Sequence, residues 1–408
     1  MKYILIIGDG MADDPSPLLG GKTPLELAHK PNMDRLAAEG ELGSVQNCPA
    51  ELPAGSDTAI LSIFGCDPRS CYTGRAPLEA AAQGVSLQPG DVAFRCNMAS
   101  LEEGDMPFDR RRIISHSSGG IEGEESRQLV EDLFADPAFA ALAKEARVEV
   151  HPTLTYRHII LQHGGDVEGL VLTPPHDHLT EVCGPWLPHG GKEGETILRL
   201  MEASFRFLSD HPINVRRRER GLLPANCIWF WAEGTAVALP SFEEHYRKKG
   251  AVISAVPLCH GIGALIGLDR IMVPGATGEK DTNYLGKGEA AVKALEEDGY
   301  DFVAVHVEAP DECTHNGDIQ GKQNAISDLD FFVIGTILCK MTKDFRLLIL
   351  SDHKTLTDTR GHAHGYVPYI LYDSRVKKGS GLSYTEANGL LGPHVEDGTA
   401  LLGMLFAP

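Results

Sequence analysis

Apolar residues in this chain gather in short unbroken runs that stop at glycine, acidic or histidine residues. Tyr3-Ile4-Leu5-Ile6-Ile7 stops at Gly8-Asp9-Gly10. Phe302-Val303-Ala304-Val305-His306-Val307 runs into Glu308-Ala309-Pro310-Asp311, and Arg346-Leu347-Leu348-Ile349-Leu350 runs into Ser351-Asp352-His353. Short runs without alternation predict strands covered on both faces, as in a parallel sheet. Helical spacing predicts helices over residues 287–297 and 325–339. Strands alternating with helices define an α/β domain built on a parallel sheet.

The pattern changes between about residues 76 and 250. Glycine- and proline-rich turns separate shorter runs such as Val148-Glu149-Val150 and His158-Ile159-Ile160-Leu161, and helical stretches fall near 126–134 and 195–209. This predicts a second, α+β domain over residues 76–249 inserted into a discontinuous core domain of residues 1–75 and 250–408. Hinges are expected near 73–76 and 248–250. No internal repeat or low-complexity tract is visible.

The chemistry lies at the ends of the runs. Asp9 comes directly after the first strand; Asp311 and His315, spaced D-x-x-x-H, come after the run ending at Val307; Asp352 and His353 come after Leu350. His362 and His364 precede the apolar run 367–372. Ligands collect outside the carboxyl ends of parallel strands, so these groups should meet at one edge of one sheet. Clustered carboxylates repel, and divalent cations remove that repulsion. The mixed oxygen and nitrogen donors suit Mn²⁺, Mg²⁺ or Zn²⁺. Six or seven protein ligands exceed what one ion with open positions takes, so two ions are expected. In Leu52-Pro53-Ala54-Gly55-Ser56-Asp57-Thr58-Ala59, Ser56 opens an apolar helix and reads as an N-cap. The same place faces free backbone N–H groups, where a phosphate binds, and a nearby cation would make Ser56 a nucleophile.

Composition narrows the partners. With 37 Lys+Arg against 57 Asp+Glu the formal charge is −20, and no basic stripe interleaves with aromatics, so nucleic acid is not the expected partner. No stretch approaches the roughly 20 apolar residues of a membrane helix. Nine cysteines without a CxxC spacing read as reduced thiols, and the cytoplasm is the expected compartment. Homo-oligomer formation is compatible with all of this.

The ordered segments G-D-G-M-A-D, G-G-K-T-P-L-E, P-N-M-D-R-L-A, P-A-G-S-D-T-A, G-R-A-P-L-E-A, D-V-A-F-R-C-N, P-G-A-T-G, D-T-N-Y, E-A-P-D-E and S-D-H resemble those of archaeal-type cofactor-independent phosphoglycerate mutases. That family belongs to the alkaline-phosphatase superfamily and carries an inserted domain. The resemblance implies an alkaline-phosphatase-like parallel-sheet core, interconversion of 3-phosphoglycerate and 2-phosphoglycerate, and transient phosphorylation of Ser56. It places Ser56, Asp9, Asp352 and His353 on one metal and Asp311, His315 and His362 on a second. His362 is preferred to His364 because the family's ligand lies six residues before the proline of a Val-Pro pair, here Val367-Pro368. Glycerate must be held during the exchange, and Arg95, Asp109, Arg110 and Arg157 of the inserted domain are the expected holders. His260 replaces a lysine that usually precedes Gly-Ile-Gly and is the candidate for contacting the substrate's phosphate there, and residues 357–366 replace the usual R-T-H-T-x-x-P. The alternatives are a homoserine kinase-like phosphotransferase, or a phosphatase or phosphodiesterase of the same superfamily.

Overall fold

The computed structural model describes residues 1–376 and 379–407. The chain divides into two compact units, Met1–Tyr72 with Ala238–Pro408, and Thr73–Val237.

The discontinuous unit is built on an eight-stranded sheet. Its spatial order is His394–Val395, Glu41–Val45, Val367–Asp373, Phe345–Ser351, Lys2–Gly8, Phe302–Val307, Gly250–Ile253 and Asp269–Ile271. Lys2–Gly8 lies between two parallel neighbours, with Ile7 opposite both His306 and Leu350. Ile4, Leu5, Ile6 and Ile7 are all fully buried, which is why the run shows no alternation. On one face Ile4, Ile6, Val303, Val305, Leu347 and Ile349 pack with helix residues such as Met33, Leu36, Ala294 and Val333. Val367–Asp373 is the exception to parallel order, running antiparallel to Phe345–Ser351.

The helix expected over 325–339 is interrupted. Ile319–Asp328 and Gly335–Lys340 are α-helical, and Leu329–Ile334 between them is a π-helical stretch. Buried Asp330 in that stretch accepts from the backbone N–H of Asn32 (3.1 Å) and Met33 (2.6 Å) at the start of the helix Pro31–Glu39. Those otherwise orphaned helix N–H groups give the carboxylate a reason to sit inside.

The contiguous unit has a five-stranded antiparallel sheet centred on Val92–Leu101. This strand pairs with Arg157–Gln162 and Ile113–Ser115, and with Cys227–Thr235; Val148–His151 extends the sheet beyond Arg157–Gln162. Helices Glu124–Ala135, Pro137–Ala146 and Gly194–Ser209 contribute Leu129, Phe139 and Met201 to its core. The boundaries fall at 72/73 and 237/238, whereas the sequence pattern puts them at 75/76 and 249/250. Residues 238–249 lie with the discontinuous unit because Phe242, in the helix Phe242–Tyr246, stacks on Phe302 at 5.0 Å. Among the described residues no helix is long and apolar enough to cross a membrane.

Candidate active site

Three adjacent parallel strands, Phe345–Ser351, Lys2–Gly8 and Phe302–Val307, end at one edge of the sheet, and Asp352, Asp9 and Asp311 come after them. Antiparallel Val367–Asp373 starts at that same edge, which lets the preceding His362 reach it. Glu41–Val45 ends there as well, with Val45 opposite Val367, and its exit leads to Ser56. Gly10 turns the chain after Asp9 with φ +56°; a Cβ there would overlap the side chains of Thr355 and Asp311.

Ser56 is the first residue of the helix Ser56–Ile63, and Gly55 occupies the cap position. The expected N-cap role is therefore corrected, because the hydroxyl turns away from the helix N–H groups. Its Oγ lies 3.3 Å from Asp9 Oδ2, 3.5 Å from Asp9 Oδ1 and 3.2 Å from His353 Nε2. His353 Nε2 is also 3.4 Å from Asp9 Oδ1 and 3.4 Å from Asp352 Oδ2. Asp352 Oδ1 accepts from the backbone N–H of Gly10 (3.0 Å) and of His353 (2.8 Å), while buried Asp352 Oδ2 has no hydrogen-bond partner among the described residues.

Beside this group stand Asp311, His315 and His362. Asp311 and His315 share one face of the helix Ala309–His315 because they are four residues apart. His315 Nε2 lies 3.1 Å from Asp311 Oδ2 and 3.0 Å from His362 Nε2, and His362 Nε2 lies 3.5 Å from Asp311 Oδ1. Both Nδ1 atoms face backbone carbonyls, His315 towards Arg360 (2.8 Å) and His362 towards Ala54 (3.3 Å). With Nδ1–H donating, each neutral ring directs its Nε2 lone pair at the other, which is repulsive without a proton or cation between them. His364, two residues on, is exposed.

The electrostatics agree. Burial and the neighbouring carboxylates of Asp352 and Asp311 push the Asp9 carboxyl well above its usual range. Burial alone would raise Asp311 too, but His315 and His362 pull it well below. Hydrogen bonding to Asp311 carries His315 up to about 9, so a proton takes the place between the two imidazoles that a cation would otherwise fill. Asp9, Asp352 and His353 form one cluster of converging donor atoms, and Asp311, His353 and His362 form another. An orphaned buried carboxylate oxygen and opposed imidazole lone pairs both fit divalent cations.

Four supporting residues carry no motif. His306, fully buried in the strand Phe302–Val307, meets Asp9 Oδ2 through Nε2 at 2.9 Å and Ser254 Oγ through Nδ1 at 3.1 Å. Asn47 Nδ2 donates to the carbonyls of Ser351 (3.2 Å) and Asp352 (2.8 Å). Thr355 Oγ1 donates to Asp311 Oδ1. Lys322, also fully buried, donates to Asp13 Oδ2 (2.9 Å) and to the Thr355 carbonyl (2.7 Å). A signal for two of them existed, a polar residue inside an otherwise apolar run for His306 and a lysine on a buried helix face for Lys322.

His260 is buried, with Nε2 on the Ser254 carbonyl at 2.8 Å and Nδ1 without a hydrogen-bond partner among the described residues. In the contiguous unit, Arg95 and Arg157 come together around Trp231, their guanidinium carbons 4.1 and 5.4 Å from its ring centroid. Asp109 and Arg110 form an exposed pair at 3.9 Å.

Fold and site define a class: an α/β enzyme with two carboxylate–imidazole clusters beside a serine hydroxyl. Residues 37–214 match the family model described as 2,3-bisphosphoglycerate-independent phosphoglycerate mutase. A probable enzyme of that name from Geobacter sulfurreducens is 42% identical, covering 100% of both chains. One from Methanosarcina barkeri is 44% identical over 96% of this chain and 98% of its own. Two solved structures are similar throughout. The PH0037 protein from Pyrococcus horikoshii gives a TM-score of 0.81 at 29% identity, covering 99% of this chain and 96% of that one. The cofactor-independent phosphoglycerate mutase from Thermoplasma acidophilum gives 0.64 at 26% identity, covering 99% of each. This chain belongs to the 2,3-bisphosphoglycerate-independent phosphoglycerate mutase family.

Proposed function

We propose that the chain interconverts 3-phosphoglycerate and 2-phosphoglycerate without 2,3-bisphosphoglycerate, with Ser56 as the residue that takes and returns the phosphoryl group. The observation that carries this reading is the Ser56 hydroxyl lying within 3.5 Å of Asp9 and His353, beside an Asp352 Oδ2 that makes no hydrogen bond among the described residues. Asp9, Asp352 and His353 with Ser56 would hold one divalent ion, and Asp311, His315 and His362 a second; Mn²⁺, Mg²⁺ and Zn²⁺ all suit these donors. Bound there, such ions neutralise charge on the phosphoryl group and favour the serine alkoxide.

In the forward direction the Ser56 Oγ–P bond forms as the P–O3 bond of the substrate breaks, and the proton given up by the Ser56 hydroxyl is matched by the one that glycerate O3 takes up. The glycerate then presents its O2 hydroxyl, whose oxygen bonds to phosphorus as the Oγ–P bond breaks, and the proton lost from O2 is matched by the one that restores the Ser56 hydroxyl. Glycerate must stay bound between the two steps, or only hydrolysis results. Arg95 and Arg157, drawn together around one indole, support that role; Asp109 and Arg110 have no such setting.

With Mn²⁺, the purified chain should equilibrate the two phosphoglycerates without added bisphosphoglycerate. EDTA or Ser56→Ala should abolish turnover, the variant leaving no phosphoserine detectable by mass spectrometry. Phosphohomoserine formed from homoserine and ATP in place of mutase activity, or release of inorganic phosphate alone, would overturn the assignment.

A further inference from the structure

We propose that Ser254 and His306 are positioning residues for Asp9, forming with it a hydrogen-bonded row that fixes which carboxylate oxygen faces a cation. The proposal rests on the metal reading of Asp9 and concerns the discontinuous unit alone. Strand register builds the row. Gly250–Ile253 runs parallel to Phe302–Val307 with Ile253 opposite Val305, so Ser254 follows beside His306. On the other side Ile7 lies opposite His306, and Asp9 comes two residues later. The His306 imidazole bridges its neighbours, with Nδ1 3.1 Å from Ser254 Oγ and Nε2 2.9 Å from Asp9 Oδ2. All three residues are buried, so solvent does not compete for these bonds.

The direction of the row follows from its first member. Ser254 Oγ accepts from the Val256 backbone N–H at 3.0 Å, which leaves the hydroxyl's own proton to give. His306 Nδ1 is the strongest acceptor beside it, since the buried Cys259 thiol on the same hydroxyl accepts only weakly. With Nδ1 accepting, the neutral ring carries its proton on Nε2 and donates it to Asp9 Oδ2. The other tautomer would set a lone pair against a carboxylate oxygen. The main chain is pinned as well: His260 Nε2 donates to the Ser254 carbonyl at 2.8 Å, and buried Lys287 donates to the His306 carbonyl at 3.1 Å. His260 therefore holds the turn after Gly250–Ile253.

The two oxygens of Asp9 are thereby made unequal. Oδ2 receives the His306 proton, whereas Oδ1 lies 3.4 Å from His353 Nε2, in the cluster of donor atoms that includes Asp352. A donor fixed on one oxygen holds the plane of the carboxylate and draws off part of its charge, as outer partners do for metal ligands. Nothing in the row touches the reacting hydroxyl directly except Asp9, so Ser254 and His306 act through that carboxylate.

Titration of the metal-free enzyme with Mn²⁺, the free ion being counted by electron paramagnetic resonance, tests this. His306→Leu, which fills the space without a donor, should weaken one Mn²⁺ step at least about tenfold and leave the other within about threefold. His306→Gln, whose amide can present an N–H near the place of Nε2, should keep both steps within about threefold of the unsubstituted enzyme. Ser254→Ala should weaken the same single step at least about threefold, because Nδ1 has no hydroxyl proton to accept. Unchanged affinity in the Leu variant would overturn the positioning role while leaving the metal reading intact. A Gln variant no better than Leu, or a loss shared equally by both steps, would reduce His306 to packing and overturn it too. Unchanged affinity in Ser254→Ala would overturn the directed row. An unsubstituted enzyme that takes up no Mn²⁺ would sink the metal reading and this proposal together, a result that no comparison among the variants can mimic.

Discussion

His362 and His364 are separated by one residue, yet only His362 directs a ring nitrogen at Asp311 and His315. Replacing His362 by alanine should lower kcat/KM by at least about 100-fold, as expected for loss of a metal donor, while His364→Ala stays within about twofold. Equal losses in the two variants would remove His362 from the site. The convergence of these candidate donors on one sheet edge was legible in the sequence, since Asp9, Asp311 and Asp352 follow apolar runs that read as parallel strands. Ser56 was legible as the opening of a helix, but not its shift from cap to first turn, which depends on Asp9 and His353 drawing the hydroxyl away. His306 was not legible as a partner of Asp9, because a histidine inside an apolar run gives no hint of what faces it. That is set by the register of strands almost 300 residues apart.

The segment from Asp352 to His362 supplies three of the donors and is braced from beneath by Lys322. Its ammonium joins Asp13 to the Thr355 carbonyl, Thr355 Oγ1 reaches Asp311, and Thr357 donates to Asp13 through its backbone N–H (3.1 Å) and its hydroxyl (2.7 Å). Lys322→Met should strand the Asp13 charge and cost about 3 kcal/mol of unfolding free energy, the scale for breaking a buried ion pair. Mn²⁺ affinity should also fall about tenfold, as when a group supporting metal ligands is lost. Urea titration and metal titration read the two separately, and an unchanged Mn²⁺ affinity would reduce Lys322 to a scaffold residue. Helices with clear spacing were legible: 287–297 corresponds to Tyr284–Glu296. The strand Val92–Leu101 escaped detection although all ten of its residues are buried. Arg95, Asn97 and Ser100 interrupt its apolar pattern, and they are tolerated inside because Glu79, the His116 carbonyl and the Pro224 carbonyl satisfy them.

The two units differ in how the chain enters them, one contiguous and one gathered from both ends of the sequence. The contiguous unit carries an acid-sensitive group, His158, which burial holds down to about 4 against 6.5 for a free imidazole. Its Nδ1 accepts from the Thr153 backbone N–H at 3.0 Å. The unfolded chain takes up the proton first, so the stability tied to neutral His158 is present above about pH 6.5 and is lost as pH falls towards 4. The full loss is about 3 kcal/mol. His158→Gln should flatten the decline in unfolding free energy between pH 7 and 4.5 by most of that amount; parallel declines would mean that His158 is already charged in the fold. The α/β division was legible from run lengths and turns. The exact seams were not, because the residues at 238–249 are held by Phe242 stacked on Phe302 and Tyr246 tilted against Phe406, tertiary contacts without local signature.

The central position of Lys2–Gly8 has a consequence for biosynthesis. Its two sheet neighbours, Phe302–Val307 and Phe345–Ser351, leave the ribosome some 300 residues later. Until then a strand of almost wholly apolar sequence has no partner of its own, while the whole of Thr73–Val237 has emerged and can close its antiparallel sheet. The candidate site is therefore a late product of folding, and a nascent chain stalled before residue 351 carries Ser56 and Asp9 without Asp352, His353 and His362.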